Sequence, residues 1–386
     1  MRVAFFVDTY RAGGAERYYV ELANALARRG VDVHTLTSRN PALPYLQEHL
    51  AGRITLHVLS PRVHFDAGFL RNVIRVMPPL AELRRALRRL RPDLLHINNG
   101  GYPGSHLCRA AVFAAGGPRI MTVNSRAQPR IGMRGRAYRM LDPILWRRLD
   151  RVICPSAAAG QALSELRDLP EHKLRVIHYG ISPPAAATKE AQRIRQEAGA
   201  DSRLLVGMVV APDASPEAAH KGHGVLVEAV GSSSRDDVVV VFVGHDPGPV
   251  VRGRAKALGL SERMHIHAGF RHIAPYMAAF DVLVVPSTAH EGLPLVILDA
   301  LATGTPVLGS RLSGIPEAVL DGVSGRTFPP GDSSALAAAI DRLASDRAEL
   351  QALSGGARRL FAERFSSDRM VEGTLAVYDE LLGGAP

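Results

Sequence analysis

The sequence predicts an α/β protein made of two doubly wound parallel-sheet domains. Three observations carry this reading. Apolar, strand-like runs alternate with amphipathic helical stretches, the alternation occurs twice, and a Pro/Ala-rich break separates the two series. At 386 residues the chain exceeds one ordinary core and suits two domains of about 180 residues each.

In the first series, Arg2–Asp8 reads as an apolar strand. Glu16–Arg29 follows as an amphipathic helix with Tyr19, Leu22, Ala23 and Leu26 on its apolar side. Gly30 ends that helix, and Val31–Thr37 forms the next strand. Further strands are expected at Ile54–Leu59, Asp93–Asn98, Arg119–Asn124, Arg151–Pro155 and Lys173–Tyr179, with helices between. Ile181–Thr188 (ISPPAAAT) has no periodicity and is expected to be the interdomain linker.

The second series restarts with strands at Arg203–Val210, Val238–Gly244, Met264–Gly269, Asp281–Pro286 and Pro306–Gly309. Helices are expected near Gly222–Val230, Pro249–Leu258, Leu293–Thr303 and Ser333–Ala344. Residues 366–386 read as a closing amphipathic helix carrying Met370, Leu375, Val377 and Leu381. The expected division is therefore 1–180, 181–365 and a C-terminal helix at 366–386. Parallel sheets bind ligands at the carboxyl ends of their strands, so the site is expected in a cleft between the domains.

Composition narrows the function. The net charge of +10 is uneven, with residues 1–180 holding 28 Lys/Arg against 13 Asp/Glu and residues 181–386 holding 19 against 24. Arginines cluster at Arg84, Arg85, Arg88, Arg89 and Arg91, and again from Arg126 to Arg151. Such surfaces attract phosphates or an anionic leaflet, and they equally fit solvated helix faces. Nucleic acid is disfavoured, because aromatics make up only 5% and no recognised binding module is present. Cys108 and Cys154 form neither a disulfide framework nor a metal-spacing pattern. No apolar run approaches the roughly 20 residues of a membrane span. The chain enters a strand at Arg2 without a visible secretory signal, so a cytoplasmic location is expected.

The stretch Asp281–Ser310 carries the most chemistry: a buried strand, a turn, Glu291-Gly292, a helix, and a second buried strand. Helix-start N–H groups favour an anion, phosphate above all. Glu291 and Asp299 stand about two helical turns apart, so both carboxylates can face one crevice. On their own they fit equally a helix-dipole carboxylate and a solvated face residue. In the first domain, Gly13-Gly14 before a helix allows close backbone approach to a substrate. The loop lacks the G-x-G-x-x-G spacing, which argues against a dehydrogenase.

Pro286, Ser287, Glu291, Gly292, Pro294 and Asp299 resemble the donor-site segment of the family-4 retaining glycosyltransferases. That segment runs Pro-Ser, a gap, Glu-Gly-x-Pro, and then a second acid. Gly13-Gly14-Ala15-Glu16 is similar to the family's glycine loop, and His220-Lys221-Gly222 to its phosphate-gripping segment. The resemblance spans nearly the whole chain and implies the GT-B architecture, two facing Rossmann-like domains. It implies transfer of a sugar from a nucleotide-sugar donor, UDP-linked in preference to GDP-linked, to a hydroxyl on a glycan, a lipid-linked acceptor or a small metabolite. It implies no metal and no cofactor. Lys221 would stabilise the departing diphosphate together with the helix start after Gly292 and Leu293. Glu291 would orient the sugar and Asp299 the ribose, while Gly13 and Gly14 would lie near phosphate and acceptor. Asn124 stands where the family commonly has a histidine that touches the transferred sugar. His96, Asn98 and Glu16 are further substrate-side candidates, although His96 also fits a satisfied core histidine.

Three departures matter. Asp299 replaces a glutamate, Asn124 cannot carry a proton charge, and Ala211 stands where the family has a phosphate-clamping arginine. Losing one such donor typically costs a factor of about 10²–10³ in rate. Arg311, Arg271 and His220 are the expected substitutes. These departures also fit a catalytically impaired nucleotide-sugar binder. A sugar-nucleotide epimerase of the same architecture would need an acid/base pair that the sequence does not identify.

Overall fold

A computed structural model describes residues 1–8, 13–59, 69–185, 187–210, 220–269, 272–289 and 291–383. The chain divides into two compact units, one of Met1–Gly180 with Ser367–Pro386 and one of Ile181–Ser366.

The first unit holds β1 (Arg2–Val7), β2 (Asp32–Ser38), β3 (Thr55–Leu59), β4 (Leu94–Asn99), β5 (Arg119–Val123), β6 (Arg151–Cys154) and β7 (Leu174–Val176). They form one parallel sheet in the order β3-β2-β1-β4-β5-β6-β7. Phe5 lies opposite Thr35 on one side and His96 on the other. Val3 to Val7 are all buried, as expected for a central parallel strand covered on both faces. The helix Gly14–Arg28 buries Tyr18, Tyr19, Leu22 and Leu26 at helical spacing against the sheet. The C-terminal helix Ser367–Leu382 belongs to this unit. Its buried face is Met370, Val371, Thr374, Val377 and Tyr378, one step round from the expected stripe, since Leu375 and Leu381 are only partly covered. Polar contacts fix its position: Tyr378 hydroxyl lies 2.6 Å from His96 Nδ1, and Glu380 accepts from Arg151 and from Arg175.

The second unit holds β8 (Leu204–Val210), β9 (Val238–Gly244), β10 (Met264–Ala268), β11 (Val282–Val285), β12 (Val307–Ser310) and β13 (Gly325–Phe328), ordered β10-β9-β8-β11-β12-β13 and parallel. Val238 to Val243 are all buried, so β9 is a central strand with both faces covered. Leu226, Val230, Leu336, Ile340 and Leu343 from flanking helices complete that core. Burying each such side chain contributes on the order of 1.5–3 kcal/mol.

The sequence reading missed several elements here, among them the short helices Ala274–Ala279 and Ile315–Ala318. The helix Thr188–Glu197 begins inside the expected linker, and it buries only Ala191 and Ile194. β13 pairs with β12 through four residues, two of them Arg326 and Thr327. The helix Arg347–Leu360 contains Gly355 and Gly356. Gly356 is required by packing, because a Cβ there would stand 1.9 Å from the Val323 carbonyl oxygen. Among the described residues, no helix is long and apolar enough to cross a membrane.

Candidate donor site

In the second unit the strand order reverses between β8 and β11, which run side by side with Val282 opposite Val206 and Leu283 opposite Gly207. A reversal of this kind opens a crevice at the carboxyl ends of the two strands. The connection leaving β8 reaches Lys221, and the one leaving β11 carries Ser287, Glu291 and Gly292. Two backbone contacts join these connections. The Thr288 N–H donates to the His220 carbonyl at 2.7 Å. Gly222, at φ +76°, lies so close to β11 that a Cβ would stand 1.9 Å from the Pro286 carbonyl oxygen.

This approach brings the two charged groups together. Lys221 Nζ donates to Glu291 Oε1 at 2.6 Å, and Ser287 Oγ donates to the same oxygen at 2.8 Å. The Glu291 side chain is 10% exposed, whereas that of Lys221 is 32% exposed. An ammonium group has three N–H donors, and only one is needed for Glu291. Lys221 can therefore hold its carboxylate and still offer N–H groups to an incoming anion.

The helix Leu295–Thr303 starts directly after this carboxylate, with Pro294 as its N-cap and Gly304 ending it. The Ile297 N–H donates to the Pro294 carbonyl at 3.0 Å, and a helix start of this kind is a natural phosphate seat. The Gly292 carbonyl is held by the Gly314 N–H at 3.1 Å, Leu293 is buried, and Asp299 is 6% exposed on the same helix. Arg311 leaves β12 at the same end of the sheet and is exposed, with Nε 3.2 Å from Thr327 Oγ1. Arg271 and the segment 211–219, including Ala211, lie outside the described residues. Burial, with Lys221 and His220 nearby, pushes the His223 pKa down to about 4, so that imidazole is neutral at pH 7.

The first-unit candidates are largely occupied within their own fold. Glu16 caps its own helix, with the Gly13 N–H donating to Oε2 at 2.8 Å, which leaves the Gly13-Gly14 start already facing a carboxylate. Asn124 Nδ2 donates to Asn98 Oδ1 at 2.7 Å and to the Asn99 carbonyl at 3.0 Å, while Tyr179 hydroxyl donates to Asn124 Oδ1 at 2.8 Å. Asn98 Nδ2 in turn donates to the Ala15 carbonyl at 3.1 Å. These amides tie the ends of β4 and β5 to the helix start, a positioning arrangement rather than an open hydrogen-bonding surface. His96 is a core residue. It is 1% exposed, stacks on Phe5, and has both nitrogens within 2.7 Å of a hydroxyl, from Tyr378 and Thr122. Burial lowers its pKa to about 3.

The sequence reading passed over Asp8 as a site residue. It ends β1 at this unit's own order reversal and accepts hydrogen bonds from Ser38 and, at 2.9 Å, from Ser105. Burial raises its pKa against those two hydrogen bonds. Its place directly after the first apolar strand was the available signal. Among the described residues, no group of three His, Cys, Asp or Glu side chains is placed to hold a metal ion.

Comparison with known proteins agrees with this geometry. The model of Glycosyltransferase Family 4 matches residues 12–183, and that of Glycosyl transferases group 1 matches residues 208–346. The chain is 30% identical to a D-inositol 3-phosphate glycosyltransferase of Nocardiopsis dassonvillei, over 84% of this chain and 80% of the relative. It is 28% identical to the enzyme of that name from Actinosynnema mirum, over 96% of this chain and 92% of the relative. Among solved structures, Anabaena HepE in complex with UDP is similar at a TM-score of 0.82 and 20% identity, covering 99% of this chain and all of that one (100%). A glycosyltransferase from Rickettsia africae has a TM-score of 0.81 and 19% identity, covering 100% of this chain and 99% of that chain.

Proposed function

The chain belongs to glycosyltransferase family 4 and is a glycosyltransferase of GT-B fold that uses a nucleotide-sugar donor, and from that premise we propose a retaining, metal-independent transfer from a UDP-linked sugar to a hydroxyl acceptor. The observation that carries the reading is the Lys221–Glu291 pair beside the start of the helix Leu295–Thr303. Breaking a glycosyl–phosphate bond leaves a nucleoside diphosphate with extra negative charge, and groups aimed at that charge lower the barrier most. Lys221 and the helix start supply positive potential on one side of the crevice. Charge from these groups is what supports a metal-independent reaction.

Glu291 then accepts hydrogen bonds from the sugar hydroxyls, held in place by Ser287 and Lys221. Asp299 takes the ribose hydroxyls, and its shorter side chain admits a bridging water. With no carboxylate assigned as a nucleophile, the acceptor oxygen attacks the anomeric carbon on the face from which the diphosphate leaves. The acceptor proton passes to the departing phosphate oxygen. Arg311 stands in for the clamp that Ala211 lacks. The relatives' names support a phosphorylated cyclitol among the acceptors to try, alongside glycans and lipid-linked hydroxyls.

A panel of UDP- and GDP-sugars, assayed for release of nucleoside diphosphate with and without acceptor, tests the proposal. Turnover of a UDP-sugar is the expected result. Turnover of GDP-sugars alone would overturn the choice of base, and an inverted product anomer would overturn the stereochemistry.

A further inference from the structure

We propose that Asp8 is a positioning residue for the acceptor: its carboxylate, held between Ser38 and Ser105, fixes the loop after β4 against which the incoming hydroxyl is placed. The proposal rests on the transferase reading above. In the first unit the strand order reverses between β1 and β4, with β2 and β3 on one side and β5 to β7 on the other. Asp8 directly follows β1, whose last residue, Val7, lies opposite Asn98 of β4. The crevice at such a reversal is where a sheet of this kind takes a ligand. Lys221 and Glu291 occupy the second unit's own reversal, which leaves this one to the acceptor.

Counting lone pairs shows why this position needs a carboxylate. Ser105 caps the helix His106–Ala111, and its Oγ accepts from the Leu107 N–H at 3.1 Å and the Cys108 N–H at 3.3 Å. A hydroxyl oxygen has two lone pairs, so both are taken and its proton must go to an acceptor. Asp8 Oδ2 is that acceptor, at 2.9 Å. Asp8 Oδ1 accepts from Ser38 Oγ at the end of β2, and Ser38 Oγ in turn accepts from Asn40 Nδ2 at 3.4 Å. One anion thus ties the end of β1 to the end of β2 and to a helix start, through hydrogen bonds of the strong, charge-assisted kind.

From Ser105 the hold runs through the loop. The Ser105 N–H donates to Asn99 Oδ1 at 3.2 Å, and Asn99 Nδ2 donates to the Gly101 carbonyl at 2.6 Å. Gly104, at φ +59°, packs so tightly that a Cβ would stand 2.1 Å from the Gly101 carbonyl oxygen and 2.2 Å from Asn99 Oδ1. Gly101 lies equally close to Ser125 beyond β5, where a Cβ would stand 2.6 Å from Oγ. The rim of the crevice, from β2 across to β5, is therefore one polar lattice anchored on the Asp8 carboxylate.

Amide hydrogen exchange of the full chain, read by mass spectrometry, and steady-state kinetics together test it. Asp8→Ala should speed exchange across residues 99–111 by roughly tenfold or more while leaving the second unit unchanged. Asp8→Asn, whose amide can accept from one serine but not both, should lie between Asp8→Ala and the wild type. With an acceptor that turns over in the donor panel, Asp8→Ala should raise the acceptor KM roughly tenfold or more, with a smaller fall in kcat and unchanged UDP affinity. Because the two residues share one contact, adding Ser105→Ala to Asp8→Ala should cost less in acceptor KM than Ser105→Ala alone. Wild-type exchange over 99–111 in both variants, exchange quickened equally in both units, or an unchanged acceptor KM would overturn the proposal. A wild type without any turnover would instead sink the transferase reading, and the acceptor role with it, even where exchange shows that Asp8 holds the loop.

Discussion

Lys221 and Glu291 lie 70 residues apart in sequence and 2.6 Å apart in space, at the carboxyl ends of neighbouring strands β8 and β11. Gly222 passes close beneath the Pro286 carbonyl, and the Lys221 side chain stays about one-third exposed near a helix start.

Removing either partner should impair transfer. Lys221→Ala and Glu291→Ala are each expected to lower turnover more than tenfold, measured as nucleoside diphosphate release. Because the two groups share one contact, the double variant should lose less than the product of the single losses. Wild-type rates in folded variants would refute the assignment.

Gly222→Ala should damage stability and donor affinity together. A left-handed conformation costs an L-residue roughly 1–2 kcal/mol, before the collision with Pro286 is counted. Gly224→Ala, whose added methyl meets no atom within 4 Å, is the matched control. Thermal melting with and without UDP compares the two. Equal melting points and equal UDP shifts would show that the close approach is unimportant.

Acid should destabilise the first unit through His96. Its pKa is about 3 in the fold, against an ordinary value of 6.5. Between those values the unfolded chain binds the proton and the folded unit does not. The contribution is therefore complete above pH 6.5 and is lost as pH falls toward 3. By pH 5 one such group costs roughly 2 kcal/mol. The melting temperature of the wild type should fall between pH 7 and pH 5 more steeply than that of His96→Gln. Parallel profiles would contradict this.

Transfer should persist in EDTA at its full rate, because Lys221 and the helix start carry the charge. A loss of activity that Mg²⁺ restores would show that the diphosphate is neutralised by metal instead.

Much of this was legible in the sequence because buried parallel strands are continuous apolar runs. Val238–Gly244 has the same bounds in both readings, and most other strand ends moved by one or two residues. β13 was missed because an edge strand of four residues with Arg326 and Thr327 has almost no apolar signal. The helix Arg347–Leu360 was obscured by Gly355-Gly356, of which Gly356 is required by its close contact with Val323 rather than by helix propensity. At the site, motif spacing picked out Glu291 and Lys221, but nothing local could announce their pairing. The hydrogen-bond partners of Asn124, Glu16 and His96 were hidden for the same reason. Their polar groups look available in sequence, and they are engaged by Tyr179, Gly13 and Tyr378 only after folding.

Titration calorimetry of UDP against the wild type and Lys221→Ala tests the donor-site assignment most directly. The account predicts binding by the wild type and at least tenfold weaker binding by the folded variant. Equal affinity in the two proteins would contradict it.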